Sequence, residues 1–159
     1  MPDPDRDREF IDRAIDLSER AVEHDQAPFG AVIVDASGEV IGEGYNTSRA
    51  DQDPAAHGEV SAMRDAWRRT GTWQRDGSTC YTSTEPCLSC SFLLTQAGVG
   101  RIVFAARGTD VPGYKPLLGA DATQVAAWIA EQPDWPPLEV TGDIERERAR
   151  AVIARVWPS

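Results

Sequence analysis

Four residues of this chain have the types and spacing for metal-assisted acid–base chemistry: His57, Glu59, Cys87 and Cys90. Cys87 and Cys90 are three positions apart, so on a helix they share a face and both sulfurs can address one ion. Pro86 precedes them and suits a first helical turn, where its missing N–H costs nothing. There the amide groups and the positive helix end favour thiolate, the ligating form. His57 opens a different predicted helix, with Glu59 two residues on. Positions i and i+2 do not share a helix face. The simplest division gives the metal to His57 and leaves Glu59 beside it, within reach of a water. A structural zinc normally closes its tetrahedron with a fourth protein ligand. The only other histidine, His24, ends a long surface helix, and the only other cysteine, Cys80, reads as a small buried thiol in Ser78–Thr82. The expected centre is therefore a Zn2+ held by His57, Cys87 and Cys90, with a water in the fourth position. A CxxC alone would also fit a redox pair, but in such folds it follows a first strand near the N-terminus and no HxE accompanies it.

The elements that must position these residues follow from hydrophobic periodicity. Helical spacing predicts a first helix over Glu9–His24, after a polar, frayed Met1–Arg8. Ala31–Val34 and Val40–Tyr45, separated by Asp35-Ala36-Ser37-Gly38, read as a hairpin. A polar loop over Asn46–Ala55 leads to a helix over His57–Arg69. Ser78–Ser83 is a predicted strand, Cys87–Ala97 an apolar helix ended by Gly98, and Arg101–Ala106 a strand. A Gly- and Pro-rich loop over Arg107–Gly119 precedes a helix over Asp121–Glu131, with Asp121 as a possible cap. Leu138–Thr141 is a last strand and Ile144–Val156 a last amphipathic helix. The order α-β-β-α-β-α-β-α-β-α indicates a three-layer α/β/α sandwich with a central mixed five-stranded sheet.

The 159 residues, 41% hydrophobic, fit one domain over 1–159. Twenty-six acidic residues oppose 16 basic ones, for a net charge of −10. A protein that grips a phosphate backbone usually carries a basic face, so nucleic acid is not the expected partner. The two arginine clusters, Arg64/Arg68/Arg69 and Arg146/Arg148/Arg150, read as solvated helix faces. Three cysteines and a charged N-terminus are not the pattern of a secreted disulfide framework, and no stretch approaches a membrane span of about 18 apolar residues. A reducing, cytoplasmic setting without membrane contact is expected.

His57-Gly58-Glu59 with Pro86-Cys87-Leu88-Ser89-Cys90 resembles the H-x-E…P-C-x-x-C pattern of the cytidine deaminase-like superfamily. The likeness runs from about residue 10 to residue 106. Ala27-Pro28-Phe29-Gly30-Ala31-Val32, Tyr45-Asn46-Thr47, Asp53-Pro54-Ala55-Ala56-His57 and Thr84-Glu85-Pro86-Cys87 are similar to the branch of guanine, cytosine and tRNA adenosine deaminases. The resemblance implies hydrolytic deamination of a heterocyclic amine by zinc-activated water. Glu59 is then the catalytic proton carrier, Asn46 orients the base through its amide, Phe29 walls the ring, and Gly58 allows close approach of backbone to substrate. Glu85 is assigned no chemistry. Members of this branch commonly pair, so a homodimer is expected, with Cys87–Ala97 and Ile144–Val156 as candidate faces.

Substrate choice rests on the divergent C-terminal third. Thr109–Tyr114 falls where guanine deaminases carry an acidic residue near an aromatic one. Here Tyr114 is followed by Lys115 and Pro116, and Asp110 is the acidic residue available for proton transfer. Tyr114, Trp135 and Trp157 are candidates to close the pocket. A free nucleobase or nucleoside is expected, with guanine-type purines ahead of cytosine and related pyrimidines or triazines. A tRNA adenosine deaminase and a non-catalytic zinc-binding module are the other readings.

Overall fold

In the computed structural model, which describes residues 2–158, one sheet of five strands lies between two layers of helices. The elements are α1 (Pro4–Glu23), β1 (Gly30–Val34), β2 (Val40–Tyr45), α2 (Ser48–Asp51), α3 (Gly58–Thr70), β3 (Thr79–Thr84), α4 (Leu88–Gln96), β4 (Arg101–Ala106), α5 (Asp121–Ala130), β5 (Glu139–Thr141) and α6 (Arg146–Val156). The strand order is β2-β1-β3-β4-β5. β1 runs antiparallel to both β2 and β3, whereas β3, β4 and β5 are mutually parallel. This is the mixed sandwich expected from the alternation of elements.

The strands' period of two divides the core. Val32, Val34, Tyr81 and Val103 face α1 and α6, where they meet Ile11, Ile15 and Val152. Ala31, Ile33, Cys80 and Ile102 face the other way, toward Ala62 of α3, Leu94 of α4 and Ile129 of α5. Every residue of β1 is buried, as both faces of a central strand must be. Gly30 is required where β1 starts: a Cβ there would collide with Ala14, Leu17 and Ser18 of α1. The glycine of the Pro28-Phe29-Gly30 segment thus lets α1 lie against the strand.

Three differences from expectation have a local reason. The N-terminal segment is helical from Pro4, not frayed to Arg8: Asp3 caps the helix by accepting from the amides of Asp5 and Arg6, and Pro4 occupies the first turn. The loop after β2 contains the single turn α2. Asp121 is the first residue of α5, not its cap; Ala120 stands at the cap.

The longer α1 carries a buried ionic contact. Asp7 receives a bidentate pair from Arg101 (2.7 Å to each oxygen) and a hydrogen bond from the Tyr81 hydroxyl (3.0 Å). Burial pushes the Asp7 carboxyl up, but Arg101 and Tyr81 outweigh it and hold it below the ordinary range. A depressed carboxylate stabilises the fold above its unfolded pKa of about 3.9, and that contribution is lost as pH falls through the lower folded value. Asp7→Asn is expected to cost about 3 kcal/mol at pH 7, because it strands the Arg101 charge. The wild type should begin to lose this margin below about pH 4, so that the gap between the two proteins narrows toward acid pH. Urea unfolding of both at pH 7 and pH 3 checks it; an equal gap at both pH values would contradict it.

Candidate active site

The site lies where the strands end. β3 runs out at Thr84 and β4 at Ala106, and the Glu85 amide bonds the Ala106 carbonyl (2.8 Å), carrying the ladder one step further. Antiparallel β1 brings its opposite end, Phe29 and Gly30, to the same edge, and β2 delivers Asn46 there. Open α/β sheets place their ligands at the carboxyl ends of parallel strands. A cavity of about 260 Å³ occupies this position. Phe29, Val111 and Tyr114 give it apolar walls; Asn46, His57, Glu59, Thr84, Glu85 and Cys87 face it with polar groups.

His57 stands at the cap position of α3 and Cys87 at that of α4, with Cys90 in the first turn of α4. The His57 Nδ1 lies 3.6 Å from Cys87 Sγ and 3.4 Å from Cys90 Sγ. With zinc–sulfur bonds of about 2.3 Å and zinc–nitrogen bonds of about 2.0–2.1 Å, neighbouring donors of a tetrahedron stand about 3.6 Å apart. Both nitrogen–sulfur distances match that spacing, and the three donor atoms all lie within 4.8 Å of one another, so they can hold a zinc ion. The thiols differ. The hydrogen bond from Cys90, with others from His57 and Ser89, holds Cys87 down at about 3 against the effect of burial. Cys90 is pushed up, first by that same bond and then by burial. Both sulfurs must be thiolate to ligate a metal, so binding there is coupled to proton release. The His57 ring is raised, chiefly by its bond to Cys87.

Glu59 sits in the first turn of α3 and is 8% exposed. Burial raises its carboxyl to about 7, the range in which a carboxyl can both take and give a proton near neutrality. Asn46 is 4% exposed and is held by its amide, which donates to the Phe29 carbonyl (2.9 Å). Its Oδ1 accepts from the Ser48 amide (3.1 Å) and hydroxyl (2.8 Å). The side chain is therefore a turn residue as well, and Nδ2 is the group it can offer to a bound ring. Gly58 lies behind the cavity wall: a Cβ there would come within 3.1 Å of the Phe29 carbonyl and 3.3 Å of Gly30.

Tyr114 comes to the cavity from the loop after β4. A short 3-10 turn, Gly108–Asp110, starts that loop. The Tyr114 ring lies over Gly108, and its hydroxyl donates to Asp121 Oδ2 (2.8 Å), a side chain that is 2% exposed. Asp110 does not serve the site. Both its oxygens are taken by Arg146 (2.8 and 2.9 Å), and Oδ2 also accepts the Arg107 amide. Trp135 lies elsewhere, against Phe92 on the outer side of α4 and α5 (ring centres 6.0 Å apart). Trp157 stands behind the wall, 6.3 Å from the Phe29 ring. His24 is exposed and stacked on Tyr45, and Cys80 is sealed in the core, where burial pushes its thiol well up. Thr84, Gly108 and Val111 also line the cavity; the sequence placed Thr84 in a family-like segment and the other two in the loop after β4 without giving any of them a role.

The family model for the cytidine and deoxycytidylate deaminase zinc-binding region matches residues 4–106. The chain belongs to this family. Its His57, Cys87 and Cys90 form the donor set that could bind the metal of this zinc-binding region. The chain is 34% identical over 100 residues to a tRNA-specific adenosine deaminase of Haemophilus influenzae, covering 63% of this chain and 58% of that one. It is 40% identical over 102 residues to a guanine deaminase of Bacillus subtilis, covering 64% and 65%. The chain thus spans less than two thirds of the length of these relatives, and as little as 23% of a longer one. A solved guanine deaminase of Nitrosomonas europaea superimposes with a TM-score of 0.78 at 25% identity, over 93% of this chain and 82% of its own. Among the described residues, no helix is long and apolar enough to cross a membrane.

Proposed function

We propose that this deaminase hydrolyses the exocyclic amine of a free nucleobase, a guanine-type purine: guanine and water give xanthine and ammonia. The observation that supports this best is the cavity itself. At about 260 Å³ it falls just below the range of about 300–1,000 Å³ usual for drug-sized ligands, so it suits a single base. Zinc bound at His57, Cys87 and Cys90 supplies a Lewis acid and a water of lowered pKa. Glu59 takes the proton of the water that adds to the amine-bearing carbon, then delivers protons to the adjoining ring nitrogen and the departing amine. Asn46 orients the ring through Nδ2, and Phe29 and Tyr114 flank its faces. The substrate is small, the protein works in the cytoplasm, and its partners are the heterocyclic amine, water and a second copy of the chain. Phe92 and Leu93 on α4 are exposed and suit that pairing, whereas Val152 and Ile153 of α6, also considered from sequence, are spent in the core.

A second reading, deamination of adenosine within tRNA, is favoured by relatives named for that activity. Against it stands the charge distribution. All six arginines of the two sequence clusters pair with acids: Arg64 with Asp53, Arg68 and Arg69 with Asp65, Arg146 with Asp110, Arg148 with Asp12 and Asp16, and Arg150 with Glu147. They offer no free cationic face to a phosphate backbone. Ammonia release by the zinc-loaded protein, measured over guanine, guanosine, cytosine, cytidine, adenine, adenosine and ammeline, tests the proposal. Guanine should be turned over best. Turnover of cytosine or ammeline without guanine would move the substrate to the pyrimidine and triazine class.

A further inference from the structure

The loop that carries Tyr114 is fastened in two places. Its base is held by Glu85, against whose carboxylate the Gly108 and Ala122 amides stand, and by Arg146 on Asp110. Beyond that base lies Tyr114–Leu118, bracketed by Gly113 (φ 76°) and Gly119 (φ 81°). Both glycines are in the left-handed region, which costs them little and which lets the chain pivot on either side. Among the described residues, the side-chain hydrogen bonds that tie this stretch down both end on Asp121. The Tyr114 hydroxyl donates to Oδ2 (2.8 Å) and the Leu118 amide to Oδ1 (3.1 Å). Asp121 is 2% exposed at the start of α5 and does not line the cavity. Tyr114 does line it and is still 37% exposed, so its ring stands at the mouth.

We infer that Asp121 is a positioning residue: it latches Tyr114 so that the ring forms a fixed apolar wall at the mouth of the cavity. A phenol has one proton to donate, and here it is committed to a carboxylate, the stronger kind of acceptor. The hydroxyl is therefore not the group that reads the substrate; the ring is. Without the latch the ring can swing on Gly113 and Gly119, and a substrate must order it again on binding. That cost falls on binding and leaves the chemistry at the metal side alone. The inference rests on the reading of this cavity as the site of a free base.

The test is a cycle of Tyr114→Phe, Asp121→Ala and the two combined, on zinc-loaded protein with guanine. Each single variant should raise KM about fivefold with kcat within about twofold of wild type. The combined variant should be no worse than the worse single, because both remove one bond. Tyr114→Phe keeps the ring and is the milder change. Hydrogen exchange reads the latch without any substrate. In Asp121→Ala the Leu118 amide should exchange at least about tenfold faster, while the Gly108 amide, held by Glu85, keeps its protection. A KM within about twofold of wild type in both single variants, or losses that multiply in the combined one, overturns the inference. So does a Tyr114→Phe that loses kcat and keeps KM, which would put the hydroxyl in the chemistry. Failure of the purine reading shows separately, as a wild type that leaves guanine untouched and turns over another base, on which the same cycle is then run. Unchanged Leu118 exchange in Asp121→Ala overturns the latch whatever the substrate.

Discussion

Glu59→Gln is expected to lower kcat by about 10²- to 10⁴-fold while the protein keeps its zinc. The side chain is buried, reaches the cavity from the first turn of α3 and stands at about 7, so it can accept a proton and return it within one turnover. Glutamine fills the same volume and can do neither. Glu59 is also the residue that separates an enzyme from a zinc module that only keeps the fold, because a purely structural site has no use for a carboxyl there. Ammonia release and metal analysis on the same preparation check it. A variant that keeps its zinc and more than about a tenth of the wild-type rate would assign the proton transfer to another group.

The second large effect belongs to the metal. Cys90→Ser is expected to drop the zinc content after dialysis from about one per chain to nearly none, since only two protein ligands remain of three. Turnover should go with it. The melting temperature should fall too, because an ion that binds only the folded chain stabilises it in proportion to its affinity. Cys80→Ser is the control. Cys80 is fully buried within β3 and is not one of the three clustered donors, so this variant should remain zinc-loaded. Elemental analysis of the two variants side by side decides the matter; a zinc-replete Cys90→Ser would remove Cys90 from the ligand set.

The metal cluster was legible in the sequence because each half is local. Cys87 and Cys90 share a helix start, and His57 and Glu59 share another, so spacing alone separates the three clustered donors from Glu59. The sheet was legible because alternating strands and helices leave few arrangements. The cavity's far wall was not. Glu85 meets Gly108 across 23 positions, and Tyr114 is placed by Asp121 through a bond that no periodicity announces. The surroundings of Asp110 were hidden for the same reason: its sequence position in the loop says nothing of Arg146, which reaches it from α6. Trp135 was a candidate on residue type alone, and the turn after α5 carries it to the outer surface. At the N-terminus the reverse holds. Asp3-Pro4 is a readable helix start, hidden by the polar composition around it.

Whether the cavity takes a free base decides the function of this protein. The most direct measurement follows wild-type, zinc-loaded protein in parallel with two substrates, free guanine and bulk tRNA, and quantifies xanthine and inosine by chromatography. Xanthine accumulating with multiple turnovers, and no inosine above a Glu59→Gln blank, is the predicted result. Inosine in tRNA with guanine untouched would contradict it and would make the second reading the function of this protein.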